Sequence, residues 1–166
     1  MAAVSPQNKG TANDRNRRIV KRLFPNAESF VFANDKGGFV SFPILMRKLL
    51  KHLKPTQLEL LVYLWLRSDK YGLCYPTLEA IAHELGQQNT TRLKKIVREL
   101  EQDLRLIKTH THEGRIYFLV GDPRHAVVNL RKRGIIDDAG IDDANELLGQ
   151  LKLPLIPKGS AQAESK

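Results

Sequence analysis

Two short amphipathic segments hinged on one glycine, followed at once by a pair of alternating strands, constrain this chain more than anything else in it. In TLEAIAHEL (77–85), Leu78, Ile81, Ala82 and Leu85 share one face at helical spacing. Thr77 is a hydroxyl N-cap, and Glu79 in the first turn complements the helix dipole. Gly86 ends the helix as a C′ residue. QQN makes a turn, and Asn89 or Thr90 caps a second helix whose Leu93, Ile96, Val97 and Leu100 fall at i, i+3, i+4 and i+7. LRLIKT (104–109) and RIYFLV (115–120) read as the strands of a hairpin, with HTHEG as the turn and Gly114 at its tip.

The flanks are more helical. GFVSFP (38–43) reads as a short strand, and Leu45, Leu49, Leu50 and Leu53 stripe an amphipathic helix after it. Pro55 and Thr56 open a helix that is apolar almost all round, with Leu58, Leu61, Val62, Leu64, Trp65 and Leu66, so it belongs at the centre with Trp65 in the core. SDKYGLCYP (68–76) reads as a loop. Downstream, Asp122 and Pro123 start a helix striped by Ala126, Val127 and Leu130 and ended by Gly134. IDDANELLGQLKL (141–153) is a last amphipathic helix. The apolar Leu147, Leu148, Leu151, Leu153, Leu155 and Ile156 either pack on the body, form a homodimer or meet another protein. The organisation expected is therefore a basic, largely disordered arm over 1–36, a compact unit over 37–121, C-terminal helices over 122–156, and a disordered tail over 157–166. Within the arm, Asn13 or Asp14 caps a short helix that Pro25 ends.

Charge narrows the function classes. Lys and Arg outnumber Asp and Glu by 27 to 18, a net +9, which favours an anionic partner. The excess is uneven: +4 over 1–36, +5 over 37–121, +3 over 122–136 and −3 over 137–166. One cysteine, Cys74, excludes an intrachain disulfide and fits a small buried hydrophobe. No run reaches the roughly 18–20 apolar residues that span a bilayer, and residues 1–18 lack the apolar centre of a secretory signal. The expectation is a cytoplasmic, nucleoid-associated protein with no membrane partner. No Gly-rich phosphate loop and no paired Cys/His spacing points to a cofactor or a metal.

The order of elements from residue 39, together with the residues themselves, resembles the winged helix-turn-helix fold. CYPTLEAIAHELG is similar to that family's entry into its first motif helix: an aromatic–proline pair, a hydroxyl cap, Ile81-Ala82 and Leu85-Gly86. LKKIVREL, LI and RIYFL then match a recognition helix and two wing strands. The resemblance covers residues 38–121. It is nearest to the winged helices of phage and plasmid replication proteins and small bacterial regulators. There are departures. Ala82 to Leu93 is one residue longer than usual, Gln87-Gln88 stands where an apolar residue is common, and QDLRLI lacks the usual glycine and is one residue longer. The resemblance implies a mainly α fold with a small β-hairpin wing, and sequence-specific binding of double-stranded DNA as a transcription regulator. The alternatives are a plasmid or phage replication initiator or accessory protein, and a protein-interaction winged helix. No catalytic residue is implied.

With Leu93, Ile96, Val97 and Leu100 buried, about 100° per residue puts Thr91, Lys95, Arg98 and Gln102 opposite them, flanked by Arg92 and Lys94. Gln88, Asn89, Thr90, Thr91 and Arg92 are the candidates near the bases; Lys94, Lys95 and Arg98 suit phosphates. Thr77, at a helix start, suits a phosphate too, and Tyr75 is either a stacking surface or a core aromatic. Lys108, His110, His112 and Arg115 surround the wing tip and reach a minor groove or its phosphates, unless the hairpin is simply solvated. Arg15, Arg17, Arg18, Lys21 and Arg22 make a basic arm that either tracks DNA or is a solvated tail. One enzymatic rival is a nicking site built from His110, His112, Glu113 and Tyr117; its paired strand histidines would hold a metal beside a tyrosine nucleophile.

Overall fold

In the computed structural model, which describes residues 12–25 and 43–158, helices surround one small antiparallel sheet. Helix α1 (Ala12–Leu23) stands apart in sequence. Helix α2 (Met46–Leu49) is a single turn that tightens into a 3-10 turn at Leu50–His52. A longer helix was expected here. Lys54, held extended before Pro55 (ψ 150°), limits its length, and the tighter turn leaves Leu50 exposed while Leu45, Met46 and Leu49 are buried. The strand expected over 38–43 lies outside the described residues except for Pro43. Helix α3 (Pro55–Arg67) is the centre of the core, with Leu60, Leu61, Leu64 and Trp65 buried. Gln57 reaches back to accept the Lys54 backbone N–H at 2.9 Å, satisfying an end group that helix geometry leaves without a partner.

Strand β1 (Leu73–Cys74) sits inside the segment expected as a loop. Asp69 builds it: its Oδ1 accepts the N–H groups of Tyr71 and Leu73, and the Val120 N–H then donates to the Gly72 carbonyl. Helix α4 (Leu78–Glu84) begins with the Thr77 hydroxyl accepting the Ala80 N–H. It ends in a Schellman closure, in which the N–H of Gly86 reaches the His83 carbonyl and that of Gln87 reaches the Ala82 carbonyl. Gly86 has φ +64°, so the turn needs glycine. Helix α5 (Thr90–Arg98) follows, capped by Asn89, whose side chain accepts the Thr91 N–H at 2.8 Å.

The one-residue excess after α5 is absorbed by a π-turn at Glu99–Asp103, where the Leu104 N–H reaches back five residues to the Glu99 carbonyl. Arg105 then adopts φ +54°, the conformation for which related junctions use glycine. These residues use up the start of the expected strand, so β2 runs Ile107–His112, and it pairs with β3 (Arg115–Val120). The connection is shorter than expected. Only Glu113 and Gly114 turn, both with positive φ (51° and 73°), as a two-residue I′ hairpin requires. The strand order is β1-β3-β2.

Helices α6 (Pro123–Lys132) and α7 (Asp138–Gln150) join the same core through Ala126, Val127, Leu130, Ile141, Ala144 and Leu148. The last helix starts a turn earlier than expected because Asp137 caps it, accepting the Gly140 N–H. Asn145 accepts from and donates to the backbone of Ile156, holding that residue in the core, while Leu151, Leu153 and Leu155 stay exposed. The carboxylates of α7 pair within the chain: Lys48 with Asp143, Arg131 with Asp138 and Lys158 with Asp142.

A non-glycine residue in the left-handed region costs about 1–2 kcal/mol, partly offset by the extra entropy a glycine loses on folding. Arg105→Gly is therefore expected to raise stability by about 0.5–1 kcal/mol. Urea unfolding followed by circular dichroism checks this, and a destabilised variant would show that the side chain matters more than the backbone.

Candidate nucleic-acid interface

Helix α5 offers one continuous polar face. Leu93 and Ile96 are buried, Val97 and Thr90 are half-buried, and Gln88, Asn89, Thr91, Arg92, Lys94, Lys95 and Arg98 are exposed. An α-helix with its side chains is about 10–12 Å across, which fits a major groove about 12 Å wide. The first carboxylate along it, Glu99, is turned away: it accepts a hydrogen bond from Gln57 at 2.7 Å and faces Lys54 at 3.4 Å. The Gln57 hydrogen bond, with help from Lys54, holds the Glu99 carboxyl below the usual glutamate range. The outward face is left to hydroxyls, amides and cations.

Glu101, in the π-turn, fixes the wing against this helix. Its two oxygens accept the backbone N–H of Thr109 at 2.7 Å and the Thr109 hydroxyl at 2.8 Å. β2 is an edge strand, so this carboxylate satisfies a backbone donor that would otherwise face solvent.

The expected DNA-contacting residues divide into two groups. Thr77, Lys94 and Arg115 line one cleft of about 550 Å³ between the start of α4, helix α5 and the wing, together with Glu79, Thr111 and Glu113. Arg115 lies over the ring of Tyr75 at 5.5 Å, and that ring is 5.6 Å from Tyr117. Tyr75 is thus an exposed platform for an arginine, a pairing that the sequence reading missed. The wing histidines go elsewhere. Strand alternation places Lys108, His110 and His112 on the opposite sheet face from Ile107, and His110 meets Phe24, the residue after α1, edge-on at 6.2 Å. Only His112 and Arg115 adjoin the turn. Lys108 sits opposite Leu119, well back along the strand, half-buried in a hollow with Glu101 and Arg105.

Where a basic, largely disordered arm was expected, the described part forms α1, and its apolar stripe docks on the sheet. Val20, Leu23 and Phe24 are buried with Leu73 and Leu119, and Asn16 donates to Asp69 at 2.7 Å. Arg15, Arg17, Arg18, Lys21 and Arg22 are all exposed, with Arg15, Arg18 and Arg22 on the side of the helix away from the sheet.

Residues 51–103 match a family model described as a helix-turn-helix domain. The match spans α3, β1, α4, α5 and the π-turn, and the hairpin strands β2 and β3, which complete the three-stranded sheet, follow directly. The fold is a winged helix-turn-helix. A domain of this kind points to DNA as the ligand. No curated protein and no solved structure matches the chain. No helix among the described residues is long and apolar enough to cross a membrane. Nor does any group of three or more His, Cys, Asp or Glu among them have the arrangement to hold a metal ion.

Two substitutions probe how the winged helix-turn-helix is held together. Glu101→Ala removes a charged acceptor with two partners and is expected to cost about 2 kcal/mol in chemical unfolding. Glu99 is the pH-dependent case. Its lowered folded-state value means that its contribution is complete above the ordinary value of 4.5 and lost as pH falls through the lower one. The stability gap between wild type and Glu99→Gln should be widest near neutrality and close in acid. A gap that is constant with pH contradicts the assignment.

Proposed function

We propose that the protein binds double-stranded DNA sequence-specifically and acts as a transcription regulator, with α5 in the major groove and the wing beside it. The observation that carries this reading is the face of α5: exposed Thr91, Arg92, Lys95 and Arg98, with the nearest carboxylate withdrawn to Gln57. Asn89, Thr90, Thr91 and Arg92, at the entering end, read base edges, with Gln88 beside them. Lys94, Lys95 and Arg98 hold phosphates along the groove walls. Thr77 and Arg115, sharing a cleft with Lys94, face the strand that leaves the groove towards the wing.

Mapping the DNA bound by the full chain supplies the site. Sites in promoters support the regulator, whereas repeated sites at a replication origin replace it with an initiator. On that site, Arg92→Ala or Thr91→Ala should cost about 1–3 kcal/mol and narrow the gap to scrambled DNA. Lys95→Ala should weaken both DNAs alike and reduce the salt slope by about 1. Gel-shift titration at two salt concentrations reads both effects. Unchanged binding in all three variants removes α5 from the interface.

A further inference from the structure

The cations of α1 are held in place, and the place is beside the wing. Arg15, Arg18 and Arg22 recur at i, i+3 and i+7, so they form one ridge of the helix, on the opposite side from Val20 and Phe24. That ridge and the wing enclose a cleft of about 650 Å³, into which His112 and Tyr117 also project. Glu113 is the one carboxylate lining it; it is almost fully exposed and lies 3.6 Å from His112. Tyr117 lines this cleft and also belongs to the stack under Arg115, so the two clefts adjoin at the wing, with Glu113 lining both.

We infer that this cleft is a second phosphate-binding site, which takes the DNA backbone where it runs past the wing. The inference rests on the DNA-binding reading above and adds α1 to it as a preformed clamp rather than a free arm. Three features favour a polyanion backbone. The arginines repeat along one line, as successive phosphates do. They are exposed at the rim rather than buried around a single ion. The helix that carries them is docked through Leu23 and Val20, so the ordering cost is already met before DNA arrives. An acidic protein segment is the competing occupant, and the test separates the two.

Binding of the full chain to a mixed-sequence duplex of about 40 base pairs is measured over a range of salt concentrations. Removing three phosphate contacts by Arg15→Ala, Arg18→Ala and Arg22→Ala together should reduce the salt slope by about 2–3 and weaken binding about tenfold or more at moderate salt. Three lysines of the C-terminal region, Lys132, Lys152 and Lys158, provide a charge-matched control; changed to alanine they should alter the slope by less than about 1. The corresponding triple Arg→Lys variant should keep most of the slope, and thermal melts confirm that each variant is folded.

Equal losses in the two alanine triples would overturn the proposal, because only total charge would then matter. So would an unchanged slope in the α1 triple, which leaves those arginines to another anion. If Arg92→Ala with Lys95→Ala still weakens binding in that case, the α5 reading survives alone. If neither set of variants changes binding, both readings fall.

Discussion

Strand β3 is enclosed on both faces. Phe118 and Val120 point into the helical core, Leu119 points the other way against Leu23 and Phe24, and all three are fully buried. An antiparallel sheet this small usually leaves one face to water. Here α1 covers that face, and the central strand becomes the wall between two apolar clusters. Burial of each such side chain contributes about 1.5–3 kcal/mol, so the position of the wing is set by packing rather than by its turn. Ile96 of α5 and Leu100 of the π-turn belong to the same core cluster as Phe118 and Val120.

The angle between helix and wing depends on five residues. A chain that is one residue long between its recognition helix and its wing can bulge outward, shift the strand register or overwind the helix. This chain widens the helix into a π-turn and reverses direction at Arg105. The register is thereby preserved, which matters because a one-residue slip would exchange the two faces of β2. The π-turn also puts Glu101 where it can grip Thr109 and leaves Glu99 pointing at Gln57. The π-turn is therefore structural, and the polar face of α5 lacks acid up to Glu99, whose carboxylate is held by Gln57.

What could be read in advance was local. Thr77, Gly86 and Asn89 announce their roles because caps and C′ glycines act within one turn of helix. The stripe Leu93, Ile96, Leu100 settles which side of α5 faces out. The rest depended on partners distant in sequence. Strand β1 has two residues, too few for alternation to register, and it exists because Asp69 organises its approach. HTHEG reads as a five-residue turn because Glu113-Gly114 is a weaker hairpin signal than Asn-Gly; the two-residue turn instead carries His110 into the strand, against Phe24. The docking of α1 did leave a trace. The unbroken run Phe118-Leu119-Val120 is a strand buried on both faces, and the amphipathic stripe Ile19, Val20, Leu23 was available to cover it.

The acidic helix at the end of the chain has a consequence at long range. Its Asp138, Asp142 and Asp143 pair with Arg131, Lys158 and Lys48, while the exposed cations of α5, the wing tip and α1 lie on other elements. The molecule is therefore an electric dipole as well as a net cation. Approaching a polyanion, it feels a torque before any contact is made, and the torque presents one side first. At low salt that pre-alignment raises the fraction of productive collisions; it decays over about 10 Å at 0.1 M salt, so only the last steps of an encounter are guided in a cell.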